Sequence, residues 1–188
     1  MLTDISKLES YLLITIDPEF YPQVEEFIAS VTAYIERYTG RTFSYDAAAA
    51  PEPRVYDGNN SDELFIDDAI EITEVKINNT VLDADDYVLY PPNRLPKTRI
   101  KLPYKYFYIG NQNITVTGKW GYGAEVPADL AFAATVMVAG IINSSNSHEG
   151  EIQSETIGRY SVTYRAGSNQ ENDYKSAINT LKLYRRMA

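Results

Sequence analysis

From residue 20 to residue 38, apolar side chains recur every three or four positions, at Val24, Phe27, Ile28, Val31, Tyr34, Ile35 and Tyr38. That spacing lines one face of an amphipathic helix. Arg37 suits its C-terminal end, where the macrodipole favours a cation, and Gly40 can supply a left-handed cap. A shorter helix is predicted before it, capped by Thr3 or Asp4 and turning Ile5, Leu8 and Leu12 inward. Asp17-Pro18 separates the two and can start the second. Residues 130–142 form an Ala-rich run that predicts a third helix, opened by Pro127. Residues 174–186 predict a last one, with Tyr174, Ile178, Leu181 and Tyr184 or Arg185 along one side.

Between the second and third helices the period shortens to two. Short strands are expected at 54–56, 63–66, 71–77, 81–82, 87–90, 99–102 and 114–119, with a further hairpin at 152–164 turning at Gly158-Arg159. Asp57-Gly58-Asn59-Asn60 and Asn78-Asn79-Thr80 are turn sequences, because Gly and Asn tolerate a left-handed backbone. Residues 44–53 read as an Ala/Pro linker. Ile114 to Thr117 alternates apolar and hydroxyl side chains, as a half-buried strand does. Gly118, Gly121 and Gly123 are expected to break that strand, and Trp120 and Tyr122 to pin its end onto the helical core. The fold class is therefore α+β: a small helical bundle core, residues 1–43 and 124–188, interrupted by an antiparallel β insertion, residues 44–123.

The 188 residues are enough for an ordinary core, and a 44% apolar content is normal for a globular protein. Sixteen tyrosines are an excess. A tyrosine is apolar along its ring and polar at its tip, which suits interfaces, carbohydrate grooves, or a sheet packed on itself. With no cysteine, disulfides, thiolate chemistry and Cys-type zinc sites are excluded. No run of about 18 apolar residues spans a membrane, and the N-terminus lacks the pattern of a secretion signal. The sequons at Asn78, Asn113 and Asn143 are read as accidental. The net charge of −9 opposes any grip on duplex DNA, since cations are too few and too scattered.

No catalytic site is expected. His148 is the only histidine and lies in a Ser/Asn loop, so it is read as a solvated residue. Asp83, Asp85 and Asp86 are too closely spaced for a calcium loop. Residues 57–63 lack the bidentate Glu at the right distance, so both are read as turns. The lysine of Gly118-Lys119-Trp120-Gly121 follows the wrong glycine for a phosphate-binding loop. Ser154 has no nucleophile elbow around it. Neither metal nor cofactor is expected. The chain's basic cluster is Lys182, Arg185 and Arg186 at its end.

Three segments together resemble the tailed-phage head–tail connector (adaptor, or head completion) family. They are Tyr34-Ile-Glu-Arg-Tyr-Thr-Gly-Arg-Thr-Phe43, the strand-to-helix passage through Ile114–Gly118, Trp120-Gly121-Tyr122 and Val126-Pro127, and the segment 150–164. All occur in the family's order and span most of the chain. The resemblance implies a structural, non-enzymatic protein of the virion neck, made in the bacterial cytoplasm. Such subunits form a ring, typically a dodecamer, beneath the portal and above a stopper or tail protein, and genomic DNA passes through without sequence-specific binding. The resemblance also implies a C-terminal segment that docks on the portal. Lys182, Arg185 and Arg186 would meet acidic groups there, with Leu181 and Tyr184 as apolar anchors. The alternative is a β module binding carbohydrate or a host surface through Tyr87, Tyr90, Tyr104, Tyr106, Tyr108 and Trp120 as stacking platforms.

Overall fold

A computed structural model describes residues 1–43, 48–146, 152–157, 160–165 and 169–186. In chain order the elements are α1 (Ile5–Leu12), α2 (Tyr21–Thr39), β1 (Glu52–Gly58), β2 (Glu63–Ile77), β3 (Thr80–Val81), β4 (Val88–Tyr90), β5 (Lys97–Lys101), β6 (Gly110–Trp120), α3 (Ala128–Asn146), β7 (Ile152–Ile157), β8 (Tyr160–Arg165) and α4 (Asn169–Tyr184). This is the mixed α+β class that the sequence predicts. The chain divides into two compact units, one of residues 1–41 and 126–188, the other of residues 42–125. His148 and the turn at Gly158-Arg159 lie outside the described residues, as do residues 44–47 of the expected linker.

The helical unit is organised around α3. Leu130, Ala133, Ala134, Val136, Met137, Val138 and Ala139 are all buried, so this helix is apolar on every side and is covered by α1, α2, α4 and β8. α2 contributes Val24, Ile28, Val31, Tyr34 and Ile35 from its predicted face, while Phe27 and Tyr38 are only half-buried. Gly40 ends it at φ 67, and its N–H reaches Glu36 O at 2.9 Å. The Asp4 carboxylate caps α1 by accepting the Lys7 N–H at 2.9 Å. Of the three residues expected to face inward from α1, only Leu8 is fully buried; eight residues give too short a stripe to bury more. The residues before α1 are core instead. Leu2 is fully buried, and the Thr3 hydroxyl shares a 2.6 Å hydrogen bond with that of Thr135. Antiparallel β7 and β8 form the expected hairpin.

The second unit is an antiparallel sheet of order β1-β6-β2-β5-β4, with β3 pairing to β2. Two of the expected strands are one: β2 runs unbroken for fifteen residues, its first half on β5 and its second on β6. Asp67 and Asp68 interrupt the apolar alternation, yet the strand continues because their polar groups are used locally. Asp67 accepts from Arg54 Nη1 at 2.7 Å and from the Tyr56 hydroxyl at 3.2 Å, and Asp68 O takes the Gly121 N–H at 2.8 Å. Irregular register around residues 65–74 bends the strand between its two partners. Asn78 and Asn79, at φ 49 and 66, make the tight turn from β2 to β3. Leu64, Ile66, Val75, Ile100, Leu102, Phe107, Ile114 and Val116 fill the core beneath.

One expectation at the end of β6 is corrected. Gly118 does not break the strand; it lies within β6, where a Cβ would run into the carbonyl oxygen of Glu71 on β2, so only glycine allows the backbones to approach. Within the sheet unit, Trp120 and Tyr122 hold the end of β6. Trp120 Nε1 donates to Glu52 O at 2.8 Å, and the Tyr122 ring lies 5.1 Å from that of Phe43. A large aromatic at a strand end packs on whichever strand is paired beside it, here β1.

Gly118→Ala is expected to lower stability by about 2 kcal/mol through overpacking. Gly123→Ala, whose Cβ would rest 3.6 Å from Glu125 O, is expected to cost little; paired urea-unfolding curves measure both. Burial, reinforced by the hydrogen bond to Asp173, pushes the Tyr11 hydroxyl up to about 12, and burial likewise pushes Tyr56 up to about 12. The fold favours their neutral forms, so this contribution is intact below roughly pH 10, the ordinary tyrosine value, and is lost as pH climbs toward 12. Spectroscopic titration is expected to show these two ionising late. Tyr11→Phe is expected to lessen the alkaline loss of stability.

Candidate docking surfaces

The C-terminal residues singled out in the sequence do not act as one exposed cluster. α4 ends at Tyr184, so Arg185 and Arg186 follow the helix rather than completing it. Leu181 is fully buried against its own unit, together with Tyr174 and Ala177. Its apolar area is already spent, and it cannot serve as an outward anchor in this arrangement. The exposed apolar residue is Leu183, at 81%, which the helical stripe placed on the outer face and the sequence reading passed over. Tyr184 is half-buried, its hydroxyl donating to Asp129 Oδ1 at 2.7 Å. Lys182 is exposed and donates to Asn179 at 2.9 Å; Arg185 is exposed.

The backbone at this end is held firmly. Arg41 Nε donates to Tyr184 O at 2.7 Å, and the Arg186 N–H donates to Thr39 O at 2.8 Å. Both anchors come from the end of α2. They satisfy carbonyls that helices α2 and α4 would otherwise leave open. Lys182, Leu183 and Arg185 are therefore presented on a fixed support.

The six rings expected to stack a sugar are not assembled. Arg54 lies over the Trp120 ring at 4.4 Å, and Arg99 over the Tyr90 ring at 4.8 Å. Tyr87 packs half-buried on the sheet core, and burial raises its hydroxyl above the ordinary value. Tyr104, Tyr106 and Tyr108 alone of the six are open, at 96%, 54% and 62% exposure, with Ile109 beside them at 83%.

Several cations of the sheet unit are directed at its own acceptors. Arg54 meets Asp67, Arg99 meets Glu63 at 2.8 Å, Lys101 meets Asp62 at 3.1 Å, and Lys105 meets Asp86 at 2.7 Å. Lys97 Nζ donates to Pro91 O at 2.7 Å. The two acidic turns follow their structural reading. Asp57 Oδ1 accepts the Gln112 N–H, Asn59 Oδ1 accepts the Ser61 N–H, and Ala84–Asp86 is a short 3-10 turn. Among the described residues no group of three or more His, Cys, Asp or Glu could hold a metal. No helix among them is long and apolar enough to cross a membrane.

The family model described as head completion protein matches residues 1–187, which bears out the resemblance carried by the three sequence segments. Two solved structures share the fold. One is a chain from the neck of an empty GTA particle computed with C6 symmetry, at TM-score 0.58 and 13% identity, covering 98% of this chain and 89% of that one. The other is from the virion of a native gene transfer agent (GTA) particle, at TM-score 0.56 and 12% identity, with the same coverage. No curated protein sequence matches the chain.

The two leucines of α4 separate support from display. Leu181→Ala is expected to cost about 2–5 kcal/mol, as a buried cavity does. Leu183→Ser is expected to stay within about 0.5 kcal/mol, as exposed substitutions do. Thermal unfolding of both variants measures the difference.

Proposed function

This chain belongs to the head completion protein family, and from that premise we propose that it is a structural, non-catalytic subunit of a virion neck. Copies of it form a ring under the portal; stopper or tail proteins attach below, and genomic DNA passes through. The observation that carries this reading is the end-to-end family match, which includes α4 and the residues that follow it. The fold shared with chains of a GTA neck and virion supports it.

The electrostatics agree with a passage for DNA. A net charge of −9 repels phosphates over roughly 8 Å at physiological salt, so the duplex slides past rather than sticks. The cations of the sheet unit that pair with its own carboxylates contribute little to any counter-field. A gripping protein needs the reverse, several unpaired cations along one face.

In this reading the portal contact is made by the end of α4. Lys182 and Arg185 meet acidic portal groups and Leu183 supplies the apolar contact, while Leu181, Tyr184 and Arg186 hold that end in place from behind. Purified protein is expected to co-sediment with rings of the cognate portal and to leave free duplex DNA in the supernatant. Reversing Lys182 and Arg185 to Glu is expected to weaken the portal association by about tenfold or more at low salt, with a shallower salt dependence. Failure of the unsubstituted chain to associate with portal rings under any salt condition would overturn the neck assignment.

A further inference from the structure

The exposed tyrosine loop between β5 and β6 is built as a rigid knob. Phe107 is fully buried at its centre, and its backbone makes two 2.8 Å hydrogen bonds, from its N–H to Ser61 O and from the Asn60 N–H to its own carbonyl. Asn113 closes the far side, donating to Tyr108 O at 3.0 Å while accepting the Gly58 N–H at 2.8 Å. Extended backbone on either side of the inward Phe107 turns Tyr106 and Tyr108 outward, with Ile109 next to them. Rings held this way lose little freedom on binding, which is what makes tyrosine effective at contact centres. Between Leu102 and Ile114 the sole charged residue is Lys105, and Asp86 neutralises it at 2.7 Å.

The helical unit carries a recess of matching character. Ile14, Ile16, Phe20, Val24, Phe27 and Ile142 line a cavity of about 360 Å³. Its one charged lining residue, Asp17, is occupied in accepting the Glu19 N–H at 3.0 Å. The volume lies near the low end of pockets that hold a small ligand, enough for one or two side chains. Part of this lining is exposed, Ile14 at 51% and Phe20 at 53%, and Leu13, next to Ile14 in the chain, is 89% exposed. Leu13, at φ 57, is the left-handed C-cap that ends α1, its N–H donating to Glu9 O, and Glu9 O and Oε1 also accept the N–H groups of Ile14 and Ile16, which fixes the chain at the recess. Exposed apolar side chains around a recess mark a surface suited to being covered.

We propose that the occupant of this recess is the Tyr106-Phe107-Tyr108-Ile109 knob of a second copy of the chain. Two copies at −9 each repel over most of their surfaces, so they meet at least cost where both present neutral apolar groups. Knob and recess are different surfaces, so the contact is heterologous: each copy offers a knob to one neighbour and a recess to the other. Such a contact propagates and closes by rotation. The inference rests on the ring reading and deepens it by naming the side-to-side contact.

The chain has no cysteine, so single substitutions give clean cross-linking. Differently tagged Ile109→Cys and Thr15→Cys proteins, Thr15 lying on the recess rim, are mixed under mild oxidation, both alone at high concentration and on portal rings. Mixed disulfide dimers are expected to form about tenfold faster than in a Val81→Cys plus Thr15→Cys control, Val81 being 54% exposed and outside both the knob and the portal contact, the factor expected of a true contact over random encounter. Adding Tyr106→Ser and Tyr108→Ser to the Ile109→Cys chain is expected to remove that advantage while leaving the unfolding midpoint unchanged. Rates equal to the control in both settings, or Ile109→Cys chains joining chiefly to one another, would overturn the proposal. If portal co-sedimentation persists while cross-linking fails, only this interface falls. If specific cross-linking persists while co-sedimentation fails, the neck assignment falls instead.

Discussion

A helix without a polar side has to be surrounded, and α3 imposes that requirement on the helical unit. With seven apolar side chains buried around its circumference, it demands neighbours on most sides, and α1, α2, α4 and β8 meet the demand, leaving Phe132 more than half exposed. Even the first residues are recruited, Leu2 as core and Thr3 through its hydroxyl bond to Thr135. No disulfide takes part, since the chain has no cysteine. Burial of apolar area is the available driving force, which makes the continuity of this covering decisive. The anchoring of Tyr184 and Arg186 backbone groups to Arg41 and Thr39 belongs to the same covering.

The sheet unit solves a different problem, that of bending one long strand between two partners. β2 passes from β5 to β6 across a stretch where Asp67 and Asp68 would ordinarily end a strand. Arg54 and Tyr56 from β1 meet Asp67, Gly121 meets the Asp68 carbonyl, and Gly118 lets the β6 backbone close onto Glu71. The result is a platform on which Arg54, Arg99, Lys101 and Lys105 face the unit's own carboxylates and whose connecting loop displays tyrosine rings. Cations paired within the unit and a neutral aromatic knob fit the proposed place of the subunit beside a DNA passage and against its like.

Much of this was legible in the sequence, wherever the determining signal is local. The face of α2, the caps at Asp4 and Gly40, the Asn78-Asn79 turn and the alternation through Ile114 to Thr117 each depend on neighbouring residues only, and each appears in the structure. The family resemblance was legible for the same reason, since ordered short motifs survive in sequence. Misread features depend on partners far along the chain. The unity of β2 rests on Arg54 and Tyr56, and the place of Gly118 on Glu71.

The candidate docking residues show the same division. Composition alone could place cations and apolar residues at the chain's end, but helical phase against α3 chose Leu181 for the interior and left Leu183 outside. Likewise six aromatic residues were candidates for an open surface, and cross-strand arginines covered two of them, while Phe107 turned its neighbours outward. By itself, then, the order of residues determined which elements form, the sign of the charge and the family, because propensity, capping and net charge are sums over adjacent groups. Which side chains face a partner was decided only by tertiary packing, because exposure is a property of what lies opposite, and that is set by contacts between residues distant in the chain.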